Sequence, residues 1–239
     1  MQVCSYPCIK EDAELFLEKF QAGEAVIAVM LGNSIGMGYN ATGYEAIHTR
    51  YNDSRGFAVE HRIDGSIGYT ALLRDYLKSK NPASQLINLS GDGWDTNDHL
   101  GITLPSSSAP PHESSELLIQ GLSPKPDVVF IPLQVNDANH LISVPVFEAN
   151  TRRLVGSIRE AGIEPVIVKE NDTAIKDYEV YQTSVSAIAK EMKVEVIDTY
   201  TPTRGRPELR ADYAHVNDAG HQVIFDQYRR WLTSIPAPH

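Results

Sequence analysis

The chain has 239 residues, 42% hydrophobic and 22% charged, and a formal net charge of −10 at pH 7. That length is enough for one large α/β domain or two small ones with a substantial core. The acidic balance excludes a phosphate-backbone partner, because nucleic-acid binding draws on clustered Lys and Arg, and the densest basic spots, Arg152-Arg153 and Arg229-Arg230, read as helix surfaces.

Cys4 and Cys8 are the two cysteines, both ahead of the first predicted helix, so a disulfide framework for the core is excluded and two free thiols are expected. The N-terminus lacks the basic start and apolar stretch of a secretory signal, and no run is long enough to span a bilayer. A soluble protein is expected, cytoplasmic by default, with no membrane span and no nucleic-acid partner.

Residues 1–24 are predicted to form an N-terminal segment with a helix near 11–21, followed by one domain over 25–239. Five short apolar runs, 25–31, 85–89, 128–133, 165–169 and 194–198, are mostly unalternating, which suits parallel strands covered on both faces. Between them lie helical periods. The clearest is Phe147, Thr151, Leu154, Val155, Ile158 and Ala161, whose spacing builds one apolar stripe, and similar stripes fall near 66–79, 114–122, 177–192 and 218–233. Strands alternating with helices predict an α/β three-layer sandwich around a central, mostly parallel five-stranded sheet. Two stretches interrupt the rhythm. In the insertion 35–65, Phe57, Val59, His61 and Ile63 alternate with polar partners after Asn52, which predicts a β-hairpin. Residues 101–113, with Pro105, Pro110 and Pro111, read as an irregular loop. Long loops of this kind either rim a site or simply connect elements.

Four polar signals fall on this scaffold in order: Gly32-Asn33-Ser34, Gly91-Asp92-Gly93, Asn136-Asp137 and Asp212-Tyr213-Ala214-His215. The first three follow the first, second and third strands, at the carboxyl ends where open α/β sheets bind ligands. A serine hydroxyl needs a neutral imidazole to take its proton, a carboxylate to orient that imidazole, and donors aimed at the oxyanion. Ser34, His215 and Asp212 supply the first three. The Ser34 and Gly93 N–H groups and the Asn136 amide supply the donors. Singly each signal reads as a turn, a helix-end charge or a surface histidine; in this order, at strand ends, they read as a catalytic site.

These residues resemble the SGNH (GDSL-like) hydrolase family over about residues 25–233. In that family the serine lies in Gly-Asp-Ser, a glycine follows the second strand, an asparagine sits in Gly-x-Asn-Asp, and Asp-x-x-His closes the site. Gly68-Tyr69 opening a helix and Val196-Ile197-Asp198 ahead of the last motif also match. The resemblance implies a flavodoxin-like sheet and a serine esterase with Ser34, Asp212 and His215 catalytic and Ser34, Gly93 and Asn136 forming the oxyanion hole. Three departures stand out. Asn33 replaces the aspartate, which preserves hydrogen bonding while altering charge. Gln134 replaces a glycine, adding bulk beside Asn136 and narrowing the acyl pocket. Gly91 is an alternative to Gly93 if the turn is tighter.

The remaining histidines, His48, His61, His99, His112, His140 and His221, lack zinc-site spacing, so no metal and no other cofactor is expected. Gly36 and Gly38 without a lysine do not make a phosphate loop. Asp92, Asp95, Asp98 and His99 read as a solvated loop in preference to a cation site. His221 and Trp231 are assigned to packing, and Trp94 to a pocket wall able to stack on a sugar ring. The expected substrate is a small-molecule or carbohydrate ester, with a short acyl group on a polar alcohol. Lipase, thioesterase or acyltransferase activity, or a non-catalytic carbohydrate-binding module, are the alternatives on the same fold.

Overall fold

Valine and isoleucine dominate the runs that become the central strands, and β-branched side chains fit a pleated surface packed on both sides. A computed structural model describes residues 10–44, 50–52, 58–60, 67–102 and 113–234. In chain order the elements are α1 (Lys10–Gln21), β1 (Ile27–Met30), α2 (Ser34–Met37), β2 (Arg50–Asn52), β3 (Ala58–Glu60), α3 (Tyr69–Lys80), β4 (Gln85–Asn88) and α4 (Thr96–His99). They continue with α5 (Ser115–Gln120), β5 (Val128–Ile131), α6 (Val135–Asn139), α7 (Val144–Glu160), β6 (Glu164–Lys169), α8 (Tyr178–Met192), β7 (Glu195–Asp198), a 3-10 turn at Pro207–Leu209, and α9 (Asp218–Leu232).

The five predicted strands form one sheet in the order β4-β1-β5-β6-β7, and every pairing is parallel. This is the flavodoxin-like order, in which the chain leaves β1 in one direction and returns on its other side, opening a crevice at the strand ends. Helices α1, α3 and α9 pack together on one face, and α5, α7 and α8 on the other. Both faces of β5 are buried, which is why its sequence carries no polar alternation.

The predicted helices form within a few residues of their expected bounds. On α7 the stripe of Phe147, Thr151, Leu154, Val155 and Ile158 is buried, while Ala161 caps the helix end. The double-arginine spots are helix surfaces: Arg152 pairs with Glu148 and Glu191, Arg153 with Glu116, and Arg229 with Asp226. The hairpin is present as an antiparallel pair with Asn52 opposite Ala58, and Val59 lies within β3. Phe57, His61, Ile63, the cysteines and most of the 101–113 loop lie outside the described residues. Among the described residues, no helix is long and apolar enough to cross a membrane.

One aromatic cluster joins the α1/α3/α9 layer to the sheet. The Phe130 ring lies edge-on to Phe16, Tyr228 and Trp231 at centroid distances of 6.4, 5.2 and 5.8 Å, and Trp231 stacks on Phe16. Tyr69, the first residue of α3, stacks on Tyr228. Phe130 has no exposed surface, so Phe130→Ala removes a ring and leaves a cavity where the sheet meets this layer. Urea denaturation is expected to show a loss of about 3–5 kcal/mol; a loss below about 1 kcal/mol would mean that the cluster is not what joins this layer to the sheet.

Candidate active site

The chain turns sharply after β1. Asn33 is the N-cap of α2, its side-chain carbonyl accepting from the Ile35 N–H at 2.9 Å, and Ser34 is the first residue of the helix. Ser34 is buried, and its Oγ lies 2.9 Å from His215 Nε2. His215 arrives on the loop between the 3-10 turn and α9. Its Nδ1 lies 2.8 and 3.0 Å from the two oxygens of Asp212. A carboxylate only accepts, so Nδ1 carries the proton and Nε2 presents its lone pair to Ser34.

Asp212 is fixed by more than the imidazole. Its Oδ1 accepts from the backbone N–H groups of Ala214 and His215, each at 2.8 Å, and its Oδ2 from the Asn40 amide at 3.1 Å. Burial pushes its pKa up, but the two backbone donors and His215 together hold the carboxyl below its ordinary value. Asn40 occupies the left-handed region at φ 64°, and beside it the Tyr39 ring lies 4.6 Å from the His215 ring. The segment that follows Ser34 thus folds over the Asp212–His215 loop and braces it.

The second motif resolves into a turn. The Trp94 N–H donates to Gly91 O, and Gly93, at φ 72°, takes the turn position that requires glycine. The Gly91 N–H donates to Gly32 O at 3.2 Å, whereas among the described residues no acceptor takes the Gly93 N–H. A Cβ on Gly91 would overlap the Trp94 ring, so this glycine is explained by the close approach of an aromatic face. Asn136 follows β5 on α6. One of its amide hydrogens goes to Trp94 O at 2.9 Å, which orients the amide and leaves the other for a ligand.

Two expectations are corrected. Gln134 does not narrow a pocket: its side chain is buried, with Nε2 donating to Val168 O at 3.0 Å and Oε1 accepting from Glu170 N at 2.7 Å. Nor is the acidic stretch a solvated loop. Asp95, Asp98 and His99 are buried, because Asp95 and Asp98 form a capping box around the first turn of α4. Asp95 also bonds His140 at 2.9 Å, and that bond raises the His140 pKa. Asp92 alone of the four is exposed. Among the described residues, no group of three or more His, Cys, Asp and Glu side chains could hold a metal ion.

Trp94 is half-buried beside the turn. His221 packs as expected: Nδ1 accepts from Tyr69 N and Nε2 donates to Tyr39 O, and burial lowers its pKa to about 4. Three supporting groups have no role assigned from the sequence, although Asp137 stands within the third motif. His99 bonds Gly32 O at 2.9 Å from beneath the nucleophile turn. Glu170, the first residue after β6, accepts from Asn33 Nδ2 at 2.7 Å and from Gln134 N and Val135 N at 2.7 and 2.8 Å. Burial nonetheless pushes its pKa up to about 7. Asp137 accepts from Thr96 Oγ1 at 2.5 Å; burial first, then the nearby Asp95 and Glu170 charges, push it up to about 8 against those hydrogen bonds. The signal for Glu170 was its position, an acidic residue at a strand's carboxyl end.

The GDSL-like Lipase/Acylhydrolase family profile matches residues 30–223, and the chain belongs to that family, a family of ester hydrolases. No curated protein sequence matches significantly. Similar solved structures include an α/β hydrolase, LAE5, from the metagenome of Lake Arreo, Spain, at 19% identity and TM-score 0.60, with 88% of this chain and 97% of that one covered. An acetylxylan esterase of Geobacillus stearothermophilus, Axe2, is similar at 16% identity and TM-score 0.59, covering 88% and 95%. The psychrotrophic esterase EstA of Pseudoalteromonas sp. is similar at 18% and 0.60, covering 87% and 99%.

The raised carboxyls set a pH trend. A buried acid whose folded pKa lies above its unfolded value favours the protonated native state, so its contribution to stability is greatest below about pH 4 and is lost as pH rises through the folded pKa. For Asp137 that window ends near 8. Asp137→Asn keeps the volume and removes the ionisation. The melting temperature of the natural chain, relative to this variant, is expected to fall between about pH 5 and about pH 9; parallel curves would place the titration elsewhere.

Proposed function

We propose that the chain is a serine carboxylesterase in which Ser34 attacks the ester carbonyl. His215 takes the serine proton as the C–O bond forms and returns it to the departing alcohol; water, activated by the same imidazole, then attacks the acyl-enzyme and releases the acid and Ser34. Asp212 holds the imidazole in the required tautomer and stabilises its protonated form. The Ser34 and Gly93 N–H groups and the Asn136 amide receive the oxyanion. The observation that carries this reading is the unbroken chain of hydrogen bonds from Ser34 Oγ through His215 to Asp212, at 2.9 and 2.8 Å. A carbohydrate-binding module has no use for it. Gly93 is preferred to Gly91 as donor because the Gly91 N–H already has an acceptor.

For the substrate we infer a short acyl group, acetyl in the simplest case, on a polar or carbohydrate alcohol. Two aromatic side chains support this: Trp94, half-buried beside Gly93, and Tyr213, exposed two residues before His215. Such faces stack on sugar rings. The similarity in fold to an acetylxylan esterase points the same way. We also infer that residues 25–239 form a single hydrolase domain preceded by an N-terminal segment, residues 1–24, with a helix; α1 supports one globular unit, since its Phe16 packs against Phe130 and Trp231.

Hydrolysis of p-nitrophenyl acetate is expected to fall to background in Ser34→Ala, and Asn136→Ala is expected to lower kcat roughly a hundredfold to a thousandfold with little change in KM. A folded Asn136→Ala variant of near-normal kcat would remove that amide from the oxyanion site. Trp94→Ala is expected to raise KM roughly tenfold or more for acetylated xylooligosaccharides and little for p-nitrophenyl acetate. Equal effects on both esters would contradict the stacking role.

A further inference from the structure

The two departures from the family pattern, Asn33 and Gln134, meet at one carboxylate. Glu170 has 4% of its surface exposed. Its Oε1 accepts from the Asn33 amide at 2.7 Å, while its Oε2 accepts from the Gln134 and Val135 N–H groups at 2.7 and 2.8 Å. Asn33 immediately precedes Ser34, and Gln134 and Val135 immediately precede Asn136. The Glu170 carboxylate therefore spans the turn that holds the hydroxyl and the first turn of the helix that holds the amide. Gln134 closes the arrangement from the other side, accepting from the Glu170 backbone N–H and donating to Val168 O.

The polarity of this junction is fixed. Asn33 uses its carbonyl oxygen to cap α2 at Ile35 N, so its NH2 group must face an acceptor, and Glu170 supplies it. The change Asn33→Asp would set two buried carboxyl groups 2.7 Å apart, which bond only while one of them keeps a proton. The change Glu170→Gln would turn an NH2 group towards the Asn33 NH2 if the new carbonyl kept the two backbone donors. The first change adds a second buried acid to the junction, one of the two having to stay protonated, and the second sets two NH2 groups face to face. Making both restores every bond, with the direction reversed at one place. The new amide at position 170 then donates to the new carboxylate at position 33, that carboxylate still caps Ile35, and the amide's carbonyl still accepts from Gln134 and Val135.

We propose that Glu170 is a positioning residue of the catalytic centre, holding the Ser34 turn and the Asn136 helix in fixed relation, and that Asn33 is its matched amide, the acid of this junction standing at position 170 and not at position 33. The proposal rests on the reading of Ser34 and Asn136 as the nucleophile and an oxyanion donor. It concerns the separation of these two groups, and misplacement on the scale of an ångström slows chemistry without weakening ground-state binding.

A double-mutant cycle tests it, with Asn33→Asp, Glu170→Gln and the two combined, measured by ester hydrolysis and by thermal unfolding. Each single change is expected to lower kcat roughly tenfold to a hundredfold with KM nearly unchanged, and to lower the melting temperature. The combined variant is expected to recover most of both. If the combined variant is only as good as the two losses added together, or if the single variants keep normal kcat, the proposal is overturned. If the single variants do not fold, the combined variant decides alone: folded and active supports the matched pair, unfolded or inactive overturns it. Ser34→Ala, run beside the cycle, separates the two claims. Activity surviving in Ser34→Ala removes the nucleophile reading whatever the cycle shows, whereas inactive Ser34→Ala with normal kcat in Glu170→Gln removes the positioning role alone.

Discussion

The hydrogen bond from Ser34 Oγ to His215 Nε2 joins residues 181 positions apart, and it exists only because the parallel sheet brings the segments that follow its first and last strands, β1 and β7, to one edge. Every crossover in the order β4-β1-β5-β6-β7 returns the chain to the same end of the sheet, so each strand delivers its following loop to one crevice. Ser34 comes from β1, Gly93 from β4, Asn136 from β5, Glu170 from β6, and the Asp212–His215 loop follows β7. The aromatic cluster around Phe130 and the α7 stripe matter to chemistry because they fix these strand ends.

A second constraint acts at that edge. Carboxyl groups are costly to bury, yet Asp95, Asp98, Asp137 and Glu170 are all buried there. They take up backbone N–H groups that short helices leave without partners: Asp95 those of α4, Glu170 those at the start of α6. The short helices are too brief to be stable alone. Buried acids thus do for the site loops what apolar packing does for the long helices, and the raised pKa values of Asp137 and Glu170 are the electrostatic consequence.

Strand and long-helix positions were legible because unalternating β-branched runs and 3.6-residue stripes are strong signals over many residues. The helices α2, α4 and α6, of four or five residues each, were not, since periodicity needs more than one turn to register. Motif order and strand-end position gathered Ser34, His215, Asp212, Gly93 and Asn136 into one place. The side-chain partners of those residues were invisible: Glu170 is 137 positions from Asn33, and Asn40 is 172 from Asp212. Composition also misled. A run containing Asp92, Asp95 and Asp98 reads as solvated until it is seen that two of the three carboxylates cap a helix, and Gln134 reads as pocket lining until its amide is found bridging two strand ends.

The account stands on Ser34 being the nucleophile that His215 deprotonates, and covalent trapping measures that directly. A fluorophosphonate reacts with a serine only where a base takes its proton and donors receive the phosphoryl oxygen. Intact mass after exposure is expected to rise by one adduct per chain, peptide mapping is expected to place the adduct on Ser34, and folded His215→Ala protein is expected to remain unlabelled. An adduct on another serine, or none on protein that hydrolyses esters, would contradict the account.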